Sequence, residues 1–355
     1  MSPTNPSRRK FLEIAAASTA VAAFGQLPRV LAVDPDKSPK RKTILSFFCD
    51  DTTPFESVGG TKAFQTFLDY CTEHEIAGES SAVLGWGHGP SMVRNPSDEQ
   101  RKFFEQVARG WKCGIDTHME LMTHYGLFDF EANSSKGATM CEGIWLYEPA
   151  ITVEQYERYI GNILAEGERI GVRFTGLTKP GCGCNVCKPR YAKLRADGHT
   201  APNPALWKAL LNLAKQGKFR GPTVPCFFTS SQTDYGIFCK AKDKENGVYE
   251  LVTQGVDRFG IGEADKPPPM GADYYITEDG KSGVIVRSVE KGDPCCLWYC
   301  HWWTVNPKNG VGWGEFQKVI QRIETHLEGR VVWMRPSDIT NHYHQADGWE
   351  FLDNL

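Results

Sequence analysis

Two adjacent carboxylates, Asp50 and Asp51, end the apolar run Thr43-Ile-Leu-Ser-Phe-Phe-Cys-Asp-Asp-Thr52. Such a run reads as a strand buried on both faces of a parallel sheet, and in α/β barrels the C-terminal ends of such strands face the substrate mouth. Imidazoles stand at comparable places. Gly114-Ile-Asp-Thr-His118 closes a second strand-like segment, with His124 six residues on, and Cys296-Leu-Trp-Tyr-Cys-His301 closes a third. Carboxylates and imidazoles together transfer protons near neutral pH and bind divalent cations through oxygen and nitrogen. An isolated Asp-Asp pair reads equally well as a helix N-cap or a turn; the histidines that follow point instead to a site.

Strand-like and helix-like runs alternate along the chain, which predicts βα repeats and a mostly parallel sheet. The expected strands are 43–49, 81–84, 113–117, 173–178, 224–229, 296–301 and 331–334. Helices are expected where Phe64, Phe67, Leu68 and Cys71 share one face, and where Phe316, Val319, Ile320, Ile323 and Leu327 do. Thr152-Val-Glu-Gln155 is a capping box opening a helix to about Glu168, and Asn203-Pro204 opens another. Residues 234–294 show no clear repeat, and 266–271, rich in proline, reads as an exposed excursion.

The strand ending in Phe48-Cys-Asp50-Asp51-Thr52, the segment Gly114-Ile-Asp-Thr-His118 and the late His301 together resemble the polysaccharide deacetylase family of carbohydrate esterases. The similarity in element order covers residues 43–345. It implies an α/β fold, a distorted (β/α)7-type barrel at 43–355, and a carbohydrate as substrate. It further implies Asp50 as catalytic base, His301 as general acid, and Asp51, His118 and His124 as ligands of a divalent metal, with Zn2+ the expected ion. Three features depart from the family pattern. Thr52 stands in place of a glycine, and Lys179 in Thr178-Lys-Pro-Gly181 stands where an arginine supports the catalytic base. The second histidine follows the first by six residues rather than four. On a helix that spacing turns the two rings roughly 120° apart, so they can share an ion only across a loop. Glu120 is a candidate substitute ligand, since metal sites accept carboxylates.

Two further readings keep the fold: a hydrolase of non-peptide C–N bonds in small amides, and a non-catalytic carbohydrate-binding protein. A third makes Cys182-Gly-Cys184-Asn-Val-Cys187 a redox or cluster site, but no Gly-x-Gly-x-x-Gly follows a strand to support a redox cofactor. The three thiols otherwise suit a structural metal or a disulfide.

Ser7-Arg8-Arg9-Lys10-Phe11-Leu12, the apolar stretch 14–24 and the small-residue site Val30-Leu31-Ala32 form the ordered signature of a twin-arginine export signal at 1–32. A linker at 33–42 follows. The expected location is periplasmic or secreted, with the twin-arginine machinery as partner and export of a folded chain. Removing residues 1–32 takes away four basic residues and one acidic residue, moving the formal charge from -3 to -6. A mildly acidic mature chain does not attract nucleic acid by bulk charge, and no later apolar run is long enough for a stable membrane span.

Overall fold

Alternate residues of the first strand, β1 (Thr43–Thr52), serve two different layers. Leu45, Phe47 and Cys49 belong to an apolar layer shared with helices, while Ile44 and Phe48 belong to a second, smaller one with Phe227, Leu251 and Leu297. This is the period-2 pattern of a strand between a barrel interior and an outer coat of helices. Every residue of β1 is buried, as its unbroken apolar run requires.

The computed structural model describes residues 41–87, 89–135, 140–181, 188–230, 234–260 and 270–355. The expected signal at 1–32, the linker up to residue 40, and Cys182, Cys184 and Cys187 lie outside the described residues. After β1 come β2 (Gly78–Ala82), β3 (Ile115–Met119) and a small antiparallel ribbon, β4 (Phe128–Asp129) with β5 (Ser134–Ser135). Then follow β6 (Gly176–Thr178), β7 (Thr223–Ser230), β8 (Gly236–Lys242), β9 (Gly247–Thr253), β10 (Cys295–His301) and β11 (Val331–Trp333).

The main sheet runs β10-β1-β2-β3-β6-β7-β9-β8, and within it only the β8–β9 pairing is antiparallel. Just past β9, the Gln254 and Gly255 N–H groups donate to the Leu297 carbonyl at 2.8 and 3.1 Å, and Gly255 bridges Trp298. These bonds join β9 to β10, so β1, β2, β3, β6, β7, β9 and β10 close into a seven-membered ring. The α/β class and the mostly parallel sheet agree with expectation, but one member of the ring does not. The segment expected as the last strand, β11, lies beside the first half of β1 outside the ring, and β9 takes its place. β9 was hidden because it carries Glu250 amid apolar residues; that carboxylate is buried against Lys240 of β8 at 2.6 Å.

The helices form where their caps and apolar faces predict. Gly60–Glu73 buries Phe64, Phe67, Leu68 and Cys71. Val153–Arg169 opens on the Thr152–Gln155 capping box, and Pro204–Lys215 opens on Asn203, whose side chain accepts from the Ala205 N–H at 2.9 Å. Gly310–His326 buries Phe316, Val319, Ile320 and Ile323. No helix among the described residues is long and apolar enough to cross a membrane.

Gly176 marks a tight crossing inside the barrel. A Cβ there would lie 2.1 Å from the Pro225 carbonyl oxygen and 2.5 Å from His118 Nε2. Backbone cannot yield as a flexible side chain can, so Gly176→Ala should cost roughly 1–3 kcal/mol by overpacking. Thermal denaturation checks this; an unchanged midpoint would mean that β6 has room to shift.

Candidate active site

Consecutive residues of a strand normally point to opposite faces, so Asp50 and Asp51 should not share a mouth. A bulge brings them together. The β1–β2 register shifts between Cys49 and Thr52, and Asp51 adopts φ 63°, a left-handed conformation uncommon outside glycine. The strain is held by its neighbours: the Asp51 N–H donates to Glu120 Oε2 at 2.8 Å, and the Thr52 hydroxyl lies 2.8 Å from that of Ser80. Both carboxyls line a cavity of about 640 Å³.

Glu120 and His124 come from the turn that follows β3. His124 Nε2 lies 2.9 Å from Asp51 Oδ1 and 3.2 Å from Glu120 Oε1, and the three side chains offer ligand atoms all within 4.8 Å of one another. Ser81 donates to Glu120 Oε2 at 3.1 Å, so one oxygen of Glu120 is held by the scaffold while the other faces the imidazole. His124 too has a positive φ, 65°. Left-handed conformations at two non-glycine residues of one group are the kind of local strain that clusters at functional sites.

The electrostatics of this group call for a cation. Burial, and then Asp51, raise the Glu120 carboxyl above the ordinary range, against the pull of His124. Burial alone would depress His124, but Glu120 and Asp51 overcome it and push the imidazolium up to about 11. The two carboxylates thus favour positive charge at the point where they converge with the imidazole. Asp51 Oδ1 is buried and paired with His124 Nε2 at 2.9 Å. Two carboxylate oxygens and one imidazole nitrogen form a donor set that fits a divalent metal.

The structure does not bring His118 into that group. Its Nδ1 lies 3.2 Å from the Thr178 hydroxyl and 3.8 Å from Glu79 Oε1, the side chain is wholly buried, and burial lowers its pKa to about 3. The reason is the same alternation that places β1. His118 and Glu120 lie two residues apart along the β3 direction, so Glu120 is nearer the C-terminal mouth by roughly 7 Å. The chain from 120 to 124 is a turn, the geometry that lets His124 reach back toward Glu120.

Asp50 and His301 are register partners on the neighbouring strands β1 and β10, and both line the cavity. Asp50 Oδ1 is buried without a partner. Burial first, then Glu120, holds its carboxyl well above the ordinary range, with His301 opposing. His301 has a partner that sequence reading missed. Asp257 Oδ2 lies 2.7 Å from His301 Nδ1, accepts from the His301 N–H at 3.1 Å, and accepts from the Thr304 hydroxyl at 3.0 Å. The ring stacks on Trp303 with centroids 4.3 Å apart. Held at Nδ1, the imidazole offers Nε2 to the cavity. An aspartate just beyond a strand, 44 residues before the histidine, leaves no spacing signal in the sequence.

Burial would lower the His301 pKa, but the Asp257 hydrogen bond and the Asp50 charge raise it to about 9. A group that must deliver a proton then works below its pKa, so activity that depends on it falls as pH rises toward 9, and earlier with a dication nearby. Asp257→Asn removes the charge that holds the proton, so the alkaline limb of the pH–rate profile should move to lower pH. A limb that stays in place would remove His301 as the titrating acid.

Lys179 lies on the cavity wall with its ammonium 5.7 and 5.9 Å from the ring centroids of Tyr147 and Tyr191. Phe227, Phe228, Tyr299 and Trp303 supply apolar surface to the same cavity. Of the aromatics around His301, Trp298 and Trp302 are wholly buried in the outer layer, while Trp303 is 44% exposed at the mouth. Cys49, Cys71, Cys113 and Cys226 are free thiols buried in the apolar layers, as small hydrophobes are.

No family model and no curated protein matches the chain. Among solved structures it is similar to a probable polysaccharide deacetylase from Pseudomonas aeruginosa PAO1, with 11% identity over 85% of this chain and 90% of that one, at a TM-score of 0.44. It is also similar to Puue allantoinase, with 12% identity over 90% and 98% of the two chains, at 0.45. T48 deacetylase, solved with substrate, shares 9% identity over 87% and 92%, at 0.38. The likeness is one of backbone course, and the site is read from its own residues.

Proposed function

We propose that this protein is a metal-dependent hydrolase that removes acetyl groups from a carbohydrate, by N- or O-deacetylation. The observation that carries the reading is the placement of Asp50 and His301 side by side on β1 and β10, at the cavity that also holds Asp51, Glu120 and His124. Asp51, Glu120 and His124 would hold the ion, with Glu120 in the place first expected for His118. The donor set accommodates Zn2+. When bound, such an ion supplies Lewis acidity toward an acyl carbonyl and lowers the pKa of a water molecule.

The protein's own groups then divide the proton transfers. Asp50, with an unpartnered oxygen at the cavity, accepts the proton of the attacking water. His301 Nε2 donates to the departing amine or alkoxide, and Asp257 fixes the ring orientation and stabilises the imidazolium before transfer. The aromatic wall of Phe227, Phe228, Tyr299 and Trp303 offers apolar surface of the kind a pyranose face covers.

Acetate release from acetylated oligosaccharides by metal-loaded protein is the test, run beside a panel of small linear and cyclic amides. Turnover of the sugars supports the reading. Turnover of the amides alone keeps the proton-transfer groups and replaces the substrate class, and turnover of neither leaves a binding protein. We also propose that the chain is exported folded by the twin-arginine route, on the strength of the ordered signature at 1–32. Cell fractionation of an Arg8→Lys, Arg9→Lys double variant should show it retained in the cytoplasm; export equal to wild type would refute the route.

A further inference from the structure

His124 sits on a turn with little regular structure of its own, yet its position decides whether three ligands converge. One buried carboxylate holds that turn. Glu142 Oε1 accepts from the Met122 N–H at 2.9 Å, and Oε2 accepts from the Thr123 and His124 N–H groups, both at 2.9 Å. The Tyr159 hydroxyl, from the helix Val153–Arg169, donates to Glu142 Oε1 and in turn accepts from the Phe128 N–H at 2.9 Å. The other side of the turn is held as well: the Met122 and Thr123 carbonyls accept from the Gly85 and Gly87 N–H groups at 2.7 and 3.2 Å.

Glu142 is wholly buried, and the partners that surround its carboxylate are N–H and O–H donors. Three consecutive backbone N–H groups turned onto one carboxylate are characteristic of anion-holding turns, here with the anion supplied by the chain itself. The left-handed conformations of Leu121 and His124, φ 52° and 65°, bracket those donors and are the conformations that the carboxylate stabilises. A helical strut 17 residues long thereby reaches the site through two side chains. Its path runs from Tyr159 to Glu142 to the 122–124 backbone and so to the His124 ring.

We propose that Glu142 is a positioning residue for the metal group, fixing His124 within reach of Asp51 and Glu120, with Tyr159 orienting Glu142. The inference rests on the reading of Asp51, Glu120 and His124 as metal ligands. Outer partners that orient a ligand typically change metal affinity by roughly 10- to 100-fold when removed.

The test uses Co2+ as the probe, titrated into metal-free full-length protein, with affinity and the visible ligand-field spectrum as readouts. Glu142→Gln puts an amide NH2 among N–H donors; its affinity should fall roughly 10- to 100-fold and its spectrum should change. Tyr159→Phe carries the test if Glu142→Gln does not fold, with an expected loss of roughly tenfold. Tyr156→Phe is the control. It lies on the same helix and is more deeply buried, but its hydroxyl donates to the Trp145 and Leu146 carbonyls, at 3.0 and 3.2 Å, and should leave Co2+ binding unchanged. If Tyr159→Phe binds Co2+ like wild type, or Tyr156→Phe loses as much, the positioning role is wrong while the ligand assignment stands. If wild type binds no Co2+, or Asp51→Ala binds it equally well, the ligand assignment falls and this inference with it.

Discussion

Asp50→Asn should lower the rate of acetyl release by roughly a hundredfold to ten-thousandfold, the usual worth of a positioned general base, while retaining the bound ion. His301→Ala should do the same from the acid side. Neither residue belongs to the Asp51, Glu120 and His124 group, so metal content is the internal control. Under the proposed roles the two serve one transition state, so the double variant should lose less than the product of the single losses. Asp50→Asn carries a second expectation that a merely damaged fold would not meet. The ionised Asp50 carboxylate is disfavoured by burial and by Glu120, so its folded-state pKa lies well above the unfolded value. Such a group contributes stability below the unfolded pKa and loses it as pH rises through the folded one. In metal-free protein at neutral pH the neutral amide should therefore melt no lower than wild type. Equal turnover by Asp50→Asn and wild type would exclude the proposed base.

Metal removal should produce the other large effect. A ligand that binds only the folded state stabilises it by about 2.7 kcal/mol at a hundredfold excess over its Kd. Scanning calorimetry of metal-free protein should thus show a midpoint that climbs with added Zn2+. Asp51→Ala removes one buried carboxylate of the group, and its midpoint should not respond. A Zn2+-dependent rise of the same size in Asp51→Ala would put the ion elsewhere in the chain.

Much of this architecture was legible in sequence because period-2 and period-3.6 patterns report burial directly. The unbroken run at 43–49 is a strand buried on both faces, and Thr152–Gln155 and Asn203 cap helices where their side chains predict. β9 was missed because Glu250 interrupts its apolar run, a carboxylate buried against Lys240 of the neighbouring strand β8. Asp50, Asp51 and His301 were singled out because they stand at strand ends, and the structure places all three at one cavity. That Glu120 rather than His118 converges with Asp51 and His124 was not legible from the histidine spacing. It was available from counting by two along β3, which puts both side chains on one face with Glu120 nearer the mouth. Asp257 and Glu142 left no local signal, since they reach His301 and His124 across 44 and 18 residues through tertiary hydrogen bonds. The bulge at Asp51 was equally hidden, because its left-handed conformation falls on an aspartate where a glycine would have announced it.

The central claim is that Asp51, Glu120 and His124 form the metal group, with His118 outside it. The most direct measurement is the metal content of purified wild type, Glu120→Ala and His118→Gln after equilibration with Zn2+ and removal of the excess. The account predicts one ion per chain in the wild type and in His118→Gln, and none in Glu120→Ala. A Glu120→Ala variant that keeps its ion while His118→Gln loses it would contradict the account.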